Sequence, residues 1–257
     1  MAALISKLLM SARLLKLLTA GLLLSICGLL YLLLWPRLQP PAPRFLTYRV
    51  DLRRQALKLY WLDEQRRPLR SLDRLRSWLA SRGDTLQFAM NGGMFRPGNA
   101  PLGLYIENEQ QLMPLDTLAG AGNFYLQPNG VFYITLDNRA GVCPTADFRQ
   151  LNLRHLVRYA TQSGPMLVLD GQLHPAFRAG SANRQIRNGV GVLPDGRVLC
   201  ALSREPVNFY VFARFFQQQG CRNALYLDGF VSRAYLPAQG WTQTDGDLGV
   251  LISVTSR

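Results

Sequence analysis

Arg187-Asn188-Gly189-Val190-Gly191, followed about 35 residues later by Asn223-Ala224-Leu225-Tyr226-Leu227-Asp228-Gly229, is the stretch from which the fold is read. Each half sets polar side chains beside glycine at the end of an apolar, strand-like run. Chemistry is often mounted this way, on tight turns held by a rigid scaffold. Two further segments repeat the pattern. Phe88-Ala89-Met90 runs into Asn91-Gly92-Gly93-Met94-Phe95, and Gln162-Ser163-Gly164-Pro165 leads into Met166-Leu167-Val168-Leu169-Asp170-Gly171. Four such segments predict one site assembled from several strand ends.

Working outward, residues 56–62 and 86–90 read as strands, and residues 248–254 as the last one. Leu72, Leu75 and Leu79 lie at helical spacing between arginines, so residues 69–81 predict an amphipathic helix ending at Gly83. Residues 102–106 with 111–115, and 124–127 with 131–136 across Pro128-Asn129-Gly130, read as hairpins. Pro194-Asp195-Gly196 joins a third hairpin. Residues 151–160 read as a helix. Pro206 opens another, lined by Phe209, Phe212 and Phe216 and closed by Gly220. The predicted fold is α+β: a mixed, mainly antiparallel sheet with a few packed helices, in one domain over residues 45–257.

An N-terminal transmembrane helix precedes that domain. Residues 17–35 carry no charge and are dominated by leucine, about 19 residues, which is enough to cross a bilayer. Lys7, Arg13 and Lys16 stand before them, so residues 1–16 are predicted to stay in the cytoplasm and the remainder to be exported. The span is long for a cleaved signal, and no small-x-small cleavage site follows it, so it reads as an uncleaved signal-anchor. This places the domain in the periplasm on a bacterial inner membrane. Residues 36–44, PRLQPPAPR, read as a stiff extended spacer.

The net charge is +13, and the part from Phe45 onward still carries 24 basic against 16 acidic residues. Behind an export segment this excess predicts an anionic glycan or membrane surface and excludes nucleic acid as a partner. Cys143, Cys200 and Cys221 are left outside the span. In an oxidising compartment one disulfide and one buried thiol is the simplest account, with Cys200 and Cys221 able to pair. There is no Cys/His cluster for zinc, no GxSxG, HExxH or P-loop, and no cofactor is predicted. With only His155 and His174 present, a histidine-based triad is weakly supported and carboxylates are the better candidates.

Asp-Gly occurs four times. Asp195-Gly196 reads as a hairpin turn and Asp245-Gly246 as a loop. Asp170-Gly171 is either another turn or a site carboxylate. Asp228-Gly229 follows an apolar strand with no return strand close by, which marks Asp228 as the leading site carboxylate. Arg187 suits a phosphate, because its planar fork donates two hydrogen bonds to phosphate oxygens. Asn91 with Gly92 and Gly93 offers a side-chain amide and backbone N–H groups to an anion. Ser163, Gly164, Asn188, Gly229 and Ser232 complete the candidate binding set.

Taken together, NGGMF (91–95), QSGPMLVLDG (162–171), RNGVGV (187–192) and NALYLDG (223–229) resemble the phosphodiester glycosidase family. That family includes the enzyme that uncovers mannose-6-phosphate on lysosomal hydrolases and many bacterial envelope proteins. The resemblance covers roughly residues 86–235. It implies hydrolysis of a sugar-1-phosphodiester on a phosphorylated carbohydrate or glycoconjugate. Asp228 then serves as base or nucleophile. Asp170 assists or orients, Arg187 neutralises the phosphate, and Asn91 with the Gly92 and Gly93 amides positions the sugar. Family members commonly continue the last motif with more glycines and a serine pair, where this chain has Phe230-Val231-Ser232-Arg233. The alternative reading is a non-catalytic module that binds an anionic glycan. Convergence of Asp170 and Asp228 on one pocket separates the two, since it favours catalysis.

Overall fold

A computed structural model of the chain describes Ser25, residues 44–150 and residues 156–256. The N-terminal segment 1–16, the span 17–35 apart from Ser25, and the spacer up to 43 lie outside the described residues. Among the described residues, no helix is long and apolar enough to cross a membrane. Arg44 begins the compact unit that runs to Arg257.

Three antiparallel sheets enclose one core. The first has six strands in the order Phe45–Val50, Val198–Ser203, Asn188–Val192, Ala224–Tyr226, Met166–Leu169, Gln172–Leu173. The second orders Gln110–Met113, Tyr105–Glu107, Val157–Ser163, Gly130–Thr135 and Ala140–Pro144. The third orders Trp241–Thr242, Ala234–Leu236, Thr85–Asn91, Leu251–Ser256 and Leu57–Tyr60. Every strand pairing among these elements is antiparallel, so the expected mixed sheet resolves into purely antiparallel ones.

Side-chain alternation along each strand decides what covers each face. On Val198–Ser203, Val198, Cys200 and Leu202 enter the shared core, which Phe88, Met90 and Ile252 supply from the third sheet and Tyr105, Phe132 and Tyr159 from the second. Leu199 and Ala201 point the other way, onto helix α3 (Phe209–Gln218), whose Phe212, Ala213 and Phe216 are buried. Helix α1 (Leu72–Ala80) covers the outside of the third sheet through Leu72, Leu75 and Leu79. Short helix α2 (Thr145–Gln150) covers the second with Phe148. Each sheet therefore has an inner face on the common core and an outer face under one helix. The caps follow the sequence: Ser71 Oγ accepts from Arg74 N, and Asn208 Oδ1 from Val211 N, each cap contributing about 1 kcal/mol.

Several sequence expectations are corrected. Residues 157–163 form the central strand of the second sheet, not the tail of a 151–160 helix. This strand is buried on both faces, between the core and α2, and that burial overrides local helix propensity. Residues 123–125 make a 3₁₀ turn instead of pairing with Gly130–Thr135, which takes Ala140–Pro144 and Val157–Ser163 as neighbours. The three described cysteines are free and buried. Cys200 faces the core and Cys221 faces α3, so the sheet itself lies between these two thiols and the pairing open to them in sequence is not made.

Candidate active site at Asp228

The three sheets converge on the residues around Asp228, and each contributes a side chain from a strand end. From the first sheet, Asn188 Oδ1 accepts a hydrogen bond from Asp228 N at 2.9 Å. From the third, Asn91 Nδ2 donates to Asp228 O at 3.2 Å. From the second, Ser163 Oγ donates to Leu227 O at 2.6 Å. Ser232 Oγ closes the loop by donating to Asp228 O at 2.6 Å. The two asparagines are tied together, Asn188 Nδ2 donating to Asn91 O at 2.6 Å, and Asn91 Oδ1 accepts from Arg233 N at 3.0 Å. Asn91, Ser163, Asn188 and Ser232 are all buried. In such a network each polar group must be matched, and these are.

This arrangement fixes the Asp228 backbone and leaves its carboxylate largely free. The carboxylate accepts one bond, from Phe230 N to Oδ1 at 3.2 Å, and among the described residues it forms no ion pair. Asp228 is 9% exposed. Burial pushes its carboxyl up from 3.8 to about 6, while the Phe230 N–H pulls it down. A raised carboxyl without a cation, held on a rigid backbone, marks a functional candidate.

Arg187 lies beneath this site and does not face solvent. It is 1% exposed, and Nε donates to Val207 O at 2.8 Å while Nη2 donates to Asn183 O and Oδ1 at 3.0 and 3.1 Å. Its guanidinium stacks 3.6 Å above the Phe209 ring, and Nη1 reaches the Tyr226 hydroxyl at 3.4 Å. Burial lowers its pKa, the reverse of what a carboxylate partner would do. Its donors are engaged by the protein, so Arg187 does not present an open fork to a phosphate. The Tyr226 hydroxyl in turn lies against the Gly229 backbone, so close that a Cβ at position 229 has no room. The sequence reading missed Tyr226. Its signal was strand alternation, which places Tyr226 and Asp228 on the same side of the chain. Arg233 follows Ser232 in the chain. Its guanidinium is about one-third exposed and is held by Asp245 at 2.9 Å.

Asp170 is the main correction. It occupies a left-handed position, φ 48°, in the two-residue turn between Met166–Leu169 and Gln172–Leu173. Met166 pairs with Leu225 in antiparallel register, so Asp228 lies off one end of this strand pair and Asp170 off the other. Asp170 is exposed and bonds Arg222 at 3.0 Å. The two carboxylates do not converge. Gly92 and Gly93 do reach the site region, but Gly92 N donates to Val250 O at 2.7 Å, so that amide is not free for an anion. Gly93 packs its Cα against Thr161 Oγ1, and Gly164 packs against Phe124 O and Asn129. His174 is buried with Nε2 at 2.9 Å from Gln127 O, away from Asp228; His155 is outside the described residues. Among the described residues no three His, Cys, Asp or Glu side chains gather as a metal site.

Residues 84–248 match the family model described as phosphodiester glycosidase, which spans all four strand-end motifs. The chain belongs to the phosphodiester glycosidase family. It is 36% identical over 200 residues to an uncharacterized protein, YigE, of Escherichia coli (strain K12), covering 77% of each chain. Among solved structures it is similar to the zebrafish N-acetylglucosamine-1-phosphodiester alpha-N-acetylglucosaminidase catalytic domain auto-inhibited by its pro-peptide. That likeness has a TM-score of 0.55 at 15% identity and covers 85% of this chain and 86% of the other. A hypothetical protein from Synechocystis gives 0.52 at 14% identity, over 83% and 59% of the two chains. At these identities the structural likeness establishes a phosphodiester glycosidase fold, antiparallel sheets with few helices.

Proposed function

We propose that this protein hydrolyses a sugar-1-phosphodiester, breaking the bond between the anomeric carbon and the phosphate oxygen. Water is consumed, and a reducing sugar and a phosphomonoester are released. The observation that carries this reading is the Asp228 carboxylate: buried, unpaired with any cation among the described residues, and clamped through its backbone by side chains from three sheets. Ionised Asp228 either attacks the anomeric carbon or takes a proton from the attacking water. The phosphate leaves with the bonding electron pair and needs little protonation, so one carboxylate suffices. Arg187 and Tyr226 hold the Gly229 turn. The uncharged residues 17–35, preceded by Lys7, Arg13 and Lys16, lead us to place the domain on the periplasmic side of a bacterial inner membrane.

The experiment is a screen of the purified protein against sugar-1-phosphodiesters, reading reducing sugar and phosphomonoester together, with Asp228→Asn as the control. Turnover by wild type and none by the variant supports the reading; equal turnover removes Asp228 from the mechanism. A glycan-binding module without catalysis is the second reading, and the separation of Asp170 from Asp228 is what favours it. Saturable binding of a phosphorylated glycan with no product from any substrate in the panel would select it.

A further inference from the structure

Phe230 stands 91% exposed two residues after Asp228, the most exposed large apolar side chain among the described residues. Single apolar side chains are common on protein surfaces, so exposure alone carries no function. The anchoring of Phe230 does. Gly229 before it is buried against the Tyr226 hydroxyl, with no room for a Cβ. Val231 after it is half-buried and packs against the apolar cluster beneath α1. Ser232 Oγ then donates to Asp228 O at 2.6 Å and ties the end of the turn back to its start. A turn held on both sides and closed at its base thus presents a phenyl ring to solvent at its apex.

The ring is also fixed relative to the reacting atoms. Phe230 N donates to Asp228 Oδ1 at 3.2 Å. Its Cα is one bond of about 1.5 Å further on, so it lies within roughly 5 Å of that oxygen. An atom under attack comes to about 3–3.5 Å from the attacking group, so the ring is within one side-chain length of whatever Asp228 acts on. The geometry of displacement says what that is. As nucleophile, or as base to an attacking water, the carboxylate stands on the side of the anomeric carbon opposite the leaving phosphate. The phosphate and the group it carries depart on the far side. The sugar ring is therefore the part of the substrate nearest both Asp228 and Phe230.

A phenyl ring has no hydrogen bond to give a hydroxyl or a phosphate. It offers an apolar, electron-rich face. A pyranose presents a matching face of C–H groups, and the positive charge that develops on its ring in an oxocarbenium-like state is drawn to aromatic π density. We propose that Phe230 is the stacking platform for the sugar ring whose anomeric bond is broken. This rests on the hydrolase reading above and adds the residue that holds the sugar.

The test compares kcat/KM of the full-length protein in detergent on sugar-1-phosphodiesters that carry either a methyl or a dodecyl group on the phosphate. Phe230→Ala should lose at least tenfold in both series alike, because the contact is with the sugar. Phe230→Trp and Phe230→Tyr should stay within about threefold of wild type, and Phe230→Leu, apolar but without a π face, should lose at least fivefold. The alanine variant keeps the main-chain N–H to Asp228, so the acid-side midpoint of its pH profile should not move, and its melting temperature should stay within about 1 °C. Saturation-transfer NMR of the methyl diesters on Asp228→Asn should show saturation of the sugar C–H protons, most of it lost on Asp228→Asn/Phe230→Ala. Wild-type activity of Phe230→Ala on the methyl diesters, a loss confined to the dodecyl series, or full activity of Phe230→Leu would each overturn the platform and leave hydrolysis standing. If wild type cleaves no diester yet Asp228→Asn binds one in a Phe230-dependent way, the hydrolase reading fails and the platform stands. No binding, or binding equal in the two proteins, overturns the platform.

Discussion

Replacing Asp228 by Asn should stabilise the protein at neutral pH while abolishing turnover, and the size of the gain follows from the burial of the carboxylate. Burial raises the folded-state pKa from 3.8 to about 6. The protonated form is therefore favoured by folding, and keeping the charge buried opposes it. The penalty is small below pH 3.8, grows as pH rises towards 6, and is complete above. At about 1.36 kcal/mol for each tenfold change in ionisation constant, its full value is about 3 kcal/mol, most of it appearing between pH 4 and pH 7. Asn is uncharged throughout, and its Oδ1 can keep the Phe230 N–H bond. Its extra N–H₂ adds a desolvation term of about 1–3 kcal/mol if unmatched, but that term does not vary with pH. The quantity to measure is thus the difference in melting temperature between variant and wild type at pH 7, less the same difference at pH 4. For a domain of this size about 2–2.5 kcal/mol corresponds to roughly 5–10 °C. Calorimetry at the two pH values reads it directly. A difference that stays flat with pH would refute the claim that this carboxylate is held charged in a desolvated place. The same ionisation predicts that wild-type kcat/KM falls on the acid side with a midpoint near pH 6 if Asp228 acts as base or nucleophile; a midpoint near 4 would separate the rate-limiting ionisation from Asp228.

Other substitutions test the rest of the site. Asp170→Asn should leave kcat/KM within twofold and stability within about 0.5 kcal/mol, since the side chain of this exposed turn residue bonds a surface arginine, Arg222; a hundredfold loss would return Asp170 to the chemistry. Arg187→Met should lower the melting temperature by several degrees, because Asn183 O loses its donor and Val207 O keeps only the bond from Gln185 N, about 1–3 kcal/mol; a raised KM with unchanged melting would show that Arg187 grips phosphate after all. Gly229→Ala should destabilise through collision with the Tyr226 hydroxyl, and adding Tyr226→Phe should recover part of the loss, with a stable single variant counting against the close packing. A reporter fused after Arg257 should be active only outside the cytoplasm; a mature N-terminus near Ala42 in the soluble fraction would instead show a cleaved signal.

Sequence alone determined the strand-end motifs, the family they resemble, the amphipathic α1 and α3 and the 190–202 hairpin. These are local matters: period, turn chemistry and capping are written within a few residues of one another. It also placed Asn91, Asn188, Ser163 and Ser232 near one another, although it gave them to the substrate where the structure gives them to the Asp228 backbone. Tertiary structure alone decided the partition into three antiparallel sheets, the strand at 157–163, the separation of Cys200 from Cys221, and the distance between Asp170 and Asp228. Two Asp-Gly pairs after apolar strands look alike in sequence. Antiparallel pairing of the strands that carry them sends one carboxylate to each end, and pairing register is a property of the assembled sheets. Arg187 shows the same limit. Its guanidinium was legible as a phosphate donor, but which acceptors it meets depends on Val207 and Asn183, brought to it by folding, and burial among them makes it a support for the site.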